Sequence, residues 1–189
     1  MYFSNIQGSE IESVSQYKYL GIIIDNSLSF KPHILELLKK CKNNNFFRNK
    51  SCFSFEAKKR LVSATFLSVL DYGDVVYMNA SSQCLHSLDT VYHGALRFIT
   101  NLKTLTHHCN LYTRVGWSSL TTCRLKHWHI LIYKAILGAL PPYLRMYINR
   151  TCTGSYRLRS ENFFLLTVPK VRTELGKRGC PSSLEPASN

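Results

Sequence analysis

The chain has 189 residues, 45% of them hydrophobic and 12% aromatic, enough apolar material for one core of ordinary domain size. Lys and Arg number 24 against 11 Asp and Glu, and the resulting net charge of +13 favours a polyanionic partner such as nucleic acid. Seven irregularly spaced cysteines (Cys41, Cys52, Cys84, Cys109, Cys123, Cys152 and Cys180), with no basic segment and apolar run in residues 1–8, argue against a secreted disulfide framework and for reduced thiols inside the cell, nuclear or cytoplasmic.

In chain order, residues 11–24 are predicted to be strand material, with Val14, Tyr17, Tyr19 and the run at 20–24 interrupted only by Gly21. Asp25, Asn26 and Ser27 make a turn, and Ser29 and Pro32 start a helix in which Ile34, Leu37, Leu38 and Cys41 recur at helical spacing while Lys39, Lys40 and Lys42 lie on other faces. A second helix carries two apolar stripes, Ala57, Leu61, Ala64 and Ser68 on one and Val62, Phe66, Val69 and Leu70 on the other, a pattern expected of a central element. Leu85, Leu88, Tyr92, Leu96 and Ile99 mark a third helix. The fourth is expected from about Ser118 to Leu140, ended by Pro141 and Pro142. Its apolar run, broken by Lys134 and the prolines, falls short of the ~20 residues a membrane span needs. Beyond Asn149 the periodicity fades into an Arg-rich loop with a strand expected at 163–168, and the Pro- and Ser-rich residues 179–189 are expected to be a disordered tail. The expected fold is mainly α: a short β-hairpin, a helical bundle and an irregular C-terminal region.

Charge is unevenly placed. No acidic residue lies between Asp89 and Glu161, a stretch containing Arg97, Lys103, Arg114, Arg124, Lys126, Lys134, Arg145, Arg150, Arg157 and Arg159. A second basic block comprises Lys39, Lys40, Lys42, Arg48, Lys50, Lys58, Lys59 and Arg60. Scattered cations in acid-free segments suit a folded surface facing phosphates, and Tyr133–Lys134, Tyr147–Arg150 and Tyr156–Arg157 pairs offer rings for base stacking. Packing with snorkelling cations is the alternative for each pair.

Several strings together resemble one family. They are Tyr17-Lys18-Tyr19-Leu20-Gly21-Ile22, Lys58-Lys59-Arg60-Leu61-Val62, Leu70-Asp71-Tyr72-Gly73-Asp74, Tyr92-His93-Gly94-Ala95-Leu96-Arg97-Phe98-Ile99-Thr100, Gly116-Trp117-Ser118-Ser119-Leu120, Arg124-Leu125-Lys126-His127-Trp128 and Val168-Pro169-Lys170-Val171-Arg172-Thr173-Glu174-Leu175-Gly176-Lys177. In this order they are similar to the segment that follows the polymerase palm in non-LTR (LINE-type) retrotransposon reverse transcriptases. The resemblance implies a palm-edge strand and primer-grip-like hairpin at residues 1–30, formed by Tyr17, Lys18, Tyr19, Leu20 and Gly21, then a helical thumb at 31–150, a basic loop and strand region at 151–178 and the tail at 179–189. It also implies that Lys39, Lys40, Lys58, Lys59, Arg60, Arg97, Arg124 and Lys126 contact the backbone of an RNA/DNA template-primer. For Gly21 the expected role is close approach of another backbone, with the flanking aromatics packed beneath it.

Polymerisation in that family uses two Mg²⁺ ions held by palm aspartates, one pair of them adjacent. This sequence has no adjacent Asp pair, and Asp25, Asp71, Asp74 and Asp89 are expected to be cap, turn or surface residues. No catalytic residue and no cofactor is therefore assigned to the chain itself, and the missing palm becomes an expected partner. His107, His108, Cys109, Cys123, His127 and His129 are all zinc-ligand types, but no Cys-x-x-Cys or finger spacing orders them, so no metal site is expected. Two other functions fit the same sequence: a stand-alone basic nucleic-acid-binding module, and a helical interaction domain using Phe46, Phe47, Phe53 and Phe55.

Overall fold

The computed structural model describes residues 13–43 and 53–145. The expectations for Phe46 and Phe47, for Arg48, Lys50, Arg150, Arg157 and Arg159, for Tyr147 and Tyr156, for the basic region at 151–178 with its strand, and for the tail lie outside the described residues. The described residues open with an antiparallel hairpin, β1 (Gln16–Tyr19) and β2 (Ile22–Asp25), followed among them by α1 (Lys31–Lys42), α2 (Phe55–Val62), a π-helical turn (Ser63–Leu67), α3 (Ser68–Asp71), α4 (Asp74–Tyr77), α5 (Ser82–Thr100), α6 (His108–Val115), α7 (Leu120–Ile136) and α8 (Pro142–Arg145). The chain divides into two compact units, Met1–Arg124 and Leu125–Asn189. Among the described residues no helix is long and apolar enough to cross a membrane.

The core of the first unit forms around α5, which packs against α1, α2 and α6. From α5 come Leu88, Tyr92, Ala95, Leu96, Phe98 and Ile99; α1 adds Ile34, Leu37 and Cys41, and α6 adds Leu111 and Val115. Each fully buried Leu, Ile or Phe contributes about 1.5–3 kcal/mol of transfer free energy. Burial pushes the Cys41 thiol up to about 11, so it behaves as a small apolar side chain.

The second predicted helix departs from its expected central place. Only the stripe of Val62, Phe66 and Leu70 is buried, while Ala57, Ala64 and Ser68 are exposed. The π turn is the local departure from α-helical register between α2 and α3, and there the Thr65 and Ser68 hydroxyls donate to the carbonyls of Leu61 (2.7 Å) and Ala64 (2.6 Å). In the second unit α7 stops at Ile136, ahead of the prolines expected to end it. Its last turn closes around Gly138, where the Gly138 N–H donates to Ala135 O (3.1 Å) and the Ala139 N–H to Lys134 O (2.9 Å).

Candidate functional site

The Tyr-Leu-Gly string proves to be the tip of the hairpin. Leu20 (φ 46°) and Gly21 (φ 83°) are the two central residues of the turn, both left-handed, as a two-residue type I′ connection requires. Glycine adopts that conformation freely, whereas leucine holds it at a cost that the surroundings must offset. The offset comes from Tyr72, whose hydroxyl donates to Leu20 O at 2.7 Å and whose ring lies against Gly21. Gly73 beside it has φ 67°, and a Cβ there would stand 2.6 Å from Ile22 Cδ1. The reversal between α3 and α4 is thus shaped to receive the hairpin. The expected packing of aromatics beneath Gly21 is corrected here: Tyr17 (62% exposed) and Tyr19 (58%) face solvent, and the ring that meets Gly21 comes from Tyr72, itself 56% exposed.

Register places Lys18 opposite Ile23 on the other face of the hairpin, next to α1. Lys18 Nζ bonds Glu36 Oε1 at 3.1 Å, and Lys40 Nζ reaches the same oxygen at 2.9 Å. Hydrogen bonds from Lys40 and then Lys18 hold the Glu36 carboxyl below its ordinary range. One carboxylate shared by two ammonium groups leaves net positive charge at the hairpin–α1 junction, with Lys39 exposed beside it.

Two buried polar groups fix this junction. The Asp25 carboxylate accepts from the backbone N–H of Ser29 (3.1 Å) and Phe30 (2.8 Å) and from the hydroxyls of Ser27 and Ser29. It thereby holds a loop in which both Leu28 (φ 50°) and Phe30 (φ 55°) are left-handed. Burial alone would raise the Asp25 pKa, but these four hydrogen bonds outweigh it and carry it far below the usual carboxylate range. His33, also buried, accepts the Ile23 N–H on Nδ1 (3.4 Å), so α1 covers the outer edge of β2, and its ring is tilted against Tyr77 at 5.4 Å. Desolvation pulls its pKa down.

The structure sorts the predicted phosphate-contacting residues into three groups. Lys39, Lys40, Arg60 and Lys126 are exposed, and Lys59 and Arg97 are half-buried. Lys58 and Arg124 are inside, which corrects their expected place on the exterior. Lys58 is 1% exposed, donates to Asn101 Oδ1 at 2.9 Å and lies 5.4 Å from the Phe98 ring centroid, tying α2 to the end of α5. Arg124 is 6% exposed and faces Asp89 at 3.8 Å. Sequence reasoning named Tyr72 and Gly73 only as part of a family string and gave Glu36 and His33 no role. The signal that could have found Tyr72 and Gly73 was the paired occurrence of the Tyr-Leu-Gly and Asp-Tyr-Gly-Asp strings.

Among the described carboxylates, Asp25 is held by its loop and Asp89 faces Arg124, while Asp71 and Asp74 offer carboxylate oxygens within 4.8 Å of each other. No family model and no solved structure matches the chain. Over 151 residues it is 25% identical to a Drosophila melanogaster protein described as "Probable RNA-directed DNA polymerase from transposon BS". That match covers 72% of this chain, which spans 17% of the relative's length. The similarity supports a relationship between this chain and transposon reverse transcriptases.

Proposed function

We propose that the chain is the thumb-side segment of a LINE-type reverse transcriptase, holding the template-primer through backbone phosphates and having no polymerase activity by itself. The observation that carries this reading is the hairpin tip clasped by Tyr72 and Gly73 beside the Lys18–Glu36–Lys40 cluster, in a chain similar to a transposon RNA-directed DNA polymerase. In this reading the exposed rings of Tyr17, Tyr19 and Tyr72 lie against the primer end, where aromatic faces accept any base. Lys18, Lys39, Lys40, Arg60 and Lys126 pair with phosphates, which fixes position without reading sequence. The Mg²⁺-dependent step belongs to a palm that these residues do not supply.

Two measurements test this. Purified chain binds RNA–DNA hybrid duplexes of unrelated sequence with equal affinity in a mobility-shift titration, and a marked preference for one sequence overturns phosphate-based holding. It adds no nucleotide to an annealed primer with Mg²⁺ or Mn²⁺, and incorporation that co-purifies with the chain overturns its assignment as inactive alone.

A further inference from the structure

The N-terminal end of α6 carries a second constellation, separate from the hairpin. His107, His108 and Cys109 are consecutive and exposed, and each offers a ligand atom within 4.8 Å of the others. Consecutive side chains normally fan apart, yet the rings of His107 and His108 stand 4.1 Å between centroids. His108 is held from two helices: its ring stacks on His93 of α5 at 5.4 Å and meets Tyr112 of α6 edge-on at 5.7 Å, and His93 Nε2 is itself hydrogen-bonded to the Tyr112 hydroxyl at 2.6 Å. One of the three donor side chains is therefore oriented in advance, as outer-sphere partners do for metal-bound histidines.

We infer that His107, His108 and Cys109 form a binding site for a borderline divalent transition metal of the zinc class, with water completing the coordination. Two imidazoles and one thiolate suit Zn²⁺ or Co²⁺ and do not suit Mg²⁺ or Ca²⁺, which take oxygen ligands. Tetrahedral coordination at ordinary Zn–N and Zn–S lengths sets the donors about 3.3–3.6 Å apart, so the trio needs to close by no more than about 1.5 Å, within reach of side-chain rotation. The Cys109 proton leaves to solvent, and the thiolate formed sits at the positive end of the helix. His107 now caps α6 by accepting the Cys109 N–H on Nδ1, at a long 3.4 Å. A metal on Nδ1 occupies that atom and a metal on Nε2 leaves the ring proton on Nδ1, so either way the cap bond is exchanged for coordination. The site does not depend on the polymerase reading.

The test is titration of the full chain, reduced and metal-free, with CoCl₂ followed by ZnCl₂. One Co²⁺ per chain is expected to bind with a thiolate-to-cobalt absorption band that Zn²⁺ bleaches. Cys109→Ser loses that band. His107→Asn, which keeps a cap-competent side chain, weakens binding by at least the roughly 10–100-fold that loss of an outer-sphere partner costs. The exposed His129→Asn is the control and changes nothing. Helical circular dichroism checks the fold of each variant, and His107→Asn carries the test if Cys109→Ser misfolds. Absence of binding by the parent overturns the site, and so does Co²⁺ binding that both variants leave intact, which would put the metal on other cysteines of the chain.

Discussion

The Tyr72 hydroxyl and the Leu20 carbonyl, 52 residues apart in the chain, are joined by a 2.7 Å hydrogen bond at the tip of the hairpin. Tyr72→Phe removes that bond at a partly exposed site and is expected to cost about 1 kcal/mol or less in urea unfolding. Gly73→Ala faces both the 2.6 Å approach to Ile22 Cδ1 and a positive φ, and is expected to cost about 1–3 kcal/mol. The order of the two variants is the discriminating result. A Gly73→Ala chain as stable as the parent would mean that the hairpin is not seated on this reversal.

Lys58 and Arg60, two residues apart on α2, separate packing from binding. Lys58→Ala empties a buried site and breaks the bond to Asn101, with an expected loss of about 2–3 kcal/mol, while Arg60→Ala stays within about 0.5 kcal/mol. Duplex affinity measured under fully folding conditions is expected to show the reverse order, Arg60→Ala weakening it and Lys58→Met leaving it unchanged. Weakened binding by a folded Lys58→Met chain would return Lys58 to the binding surface.

Much of this fold was legible because apolar residues recur at regular spacing. The stripe of Leu88, Tyr92, Leu96 and Ile99 announces α5, and Ile34, Leu37 and Cys41 announce α1, as the buried sets of both helices show. α6 was not anticipated, since its cap is His107, its first residues are His108, Cys109 and Asn110, and only Leu111 and Val115 enter the core. Charge was legible in sign but not in direction: Lys58 and Arg124 belong to basic strings, and only tertiary partners, Asn101 and Asp89, show that they point inward. The hairpin strings were recognisable, but the clasp between Leu20 and Tyr72 spans 52 residues and no local pattern encodes it.

Acid should loosen the hairpin–α1 junction in two steps. His33 has a folded pKa below its ordinary 6.5, chiefly through desolvation, with Glu36 opposing and Lys40 and Lys18 adding to the shift. A depressed folded pKa means that its contribution is fully present above pH 6.5 and is lost as the pH falls below it. Asp25 is likewise depressed from 3.8, so its contribution is present above about pH 3.8 and disappears below. Thermal midpoints are expected to fall as the pH drops below 6.5 in the parent and less steeply in His33→Gln, whose amide oxygen can still accept the Ile23 N–H. Identical slopes for the two chains would mean that His33 does not set the first step.

If the exposed cations of this chain hold nucleic acid by its phosphates, as proposed, duplex binding must weaken with salt. Fluorescence anisotropy with a labelled RNA–DNA hybrid, from low to moderate salt, is expected to give a linear fall of log affinity with log salt. With Lys18, Lys39, Lys40, Arg60 and Lys126 available, the slope should be on the order of −3 to −5, at ~0.9 per phosphate neutralised. Lys39→Gln with Lys40→Gln should flatten it by roughly one unit for each phosphate left without its cation, equally for every sequence tested. An affinity indifferent to salt, or a slope untouched by neutralising Lys39 and Lys40, would contradict the claim.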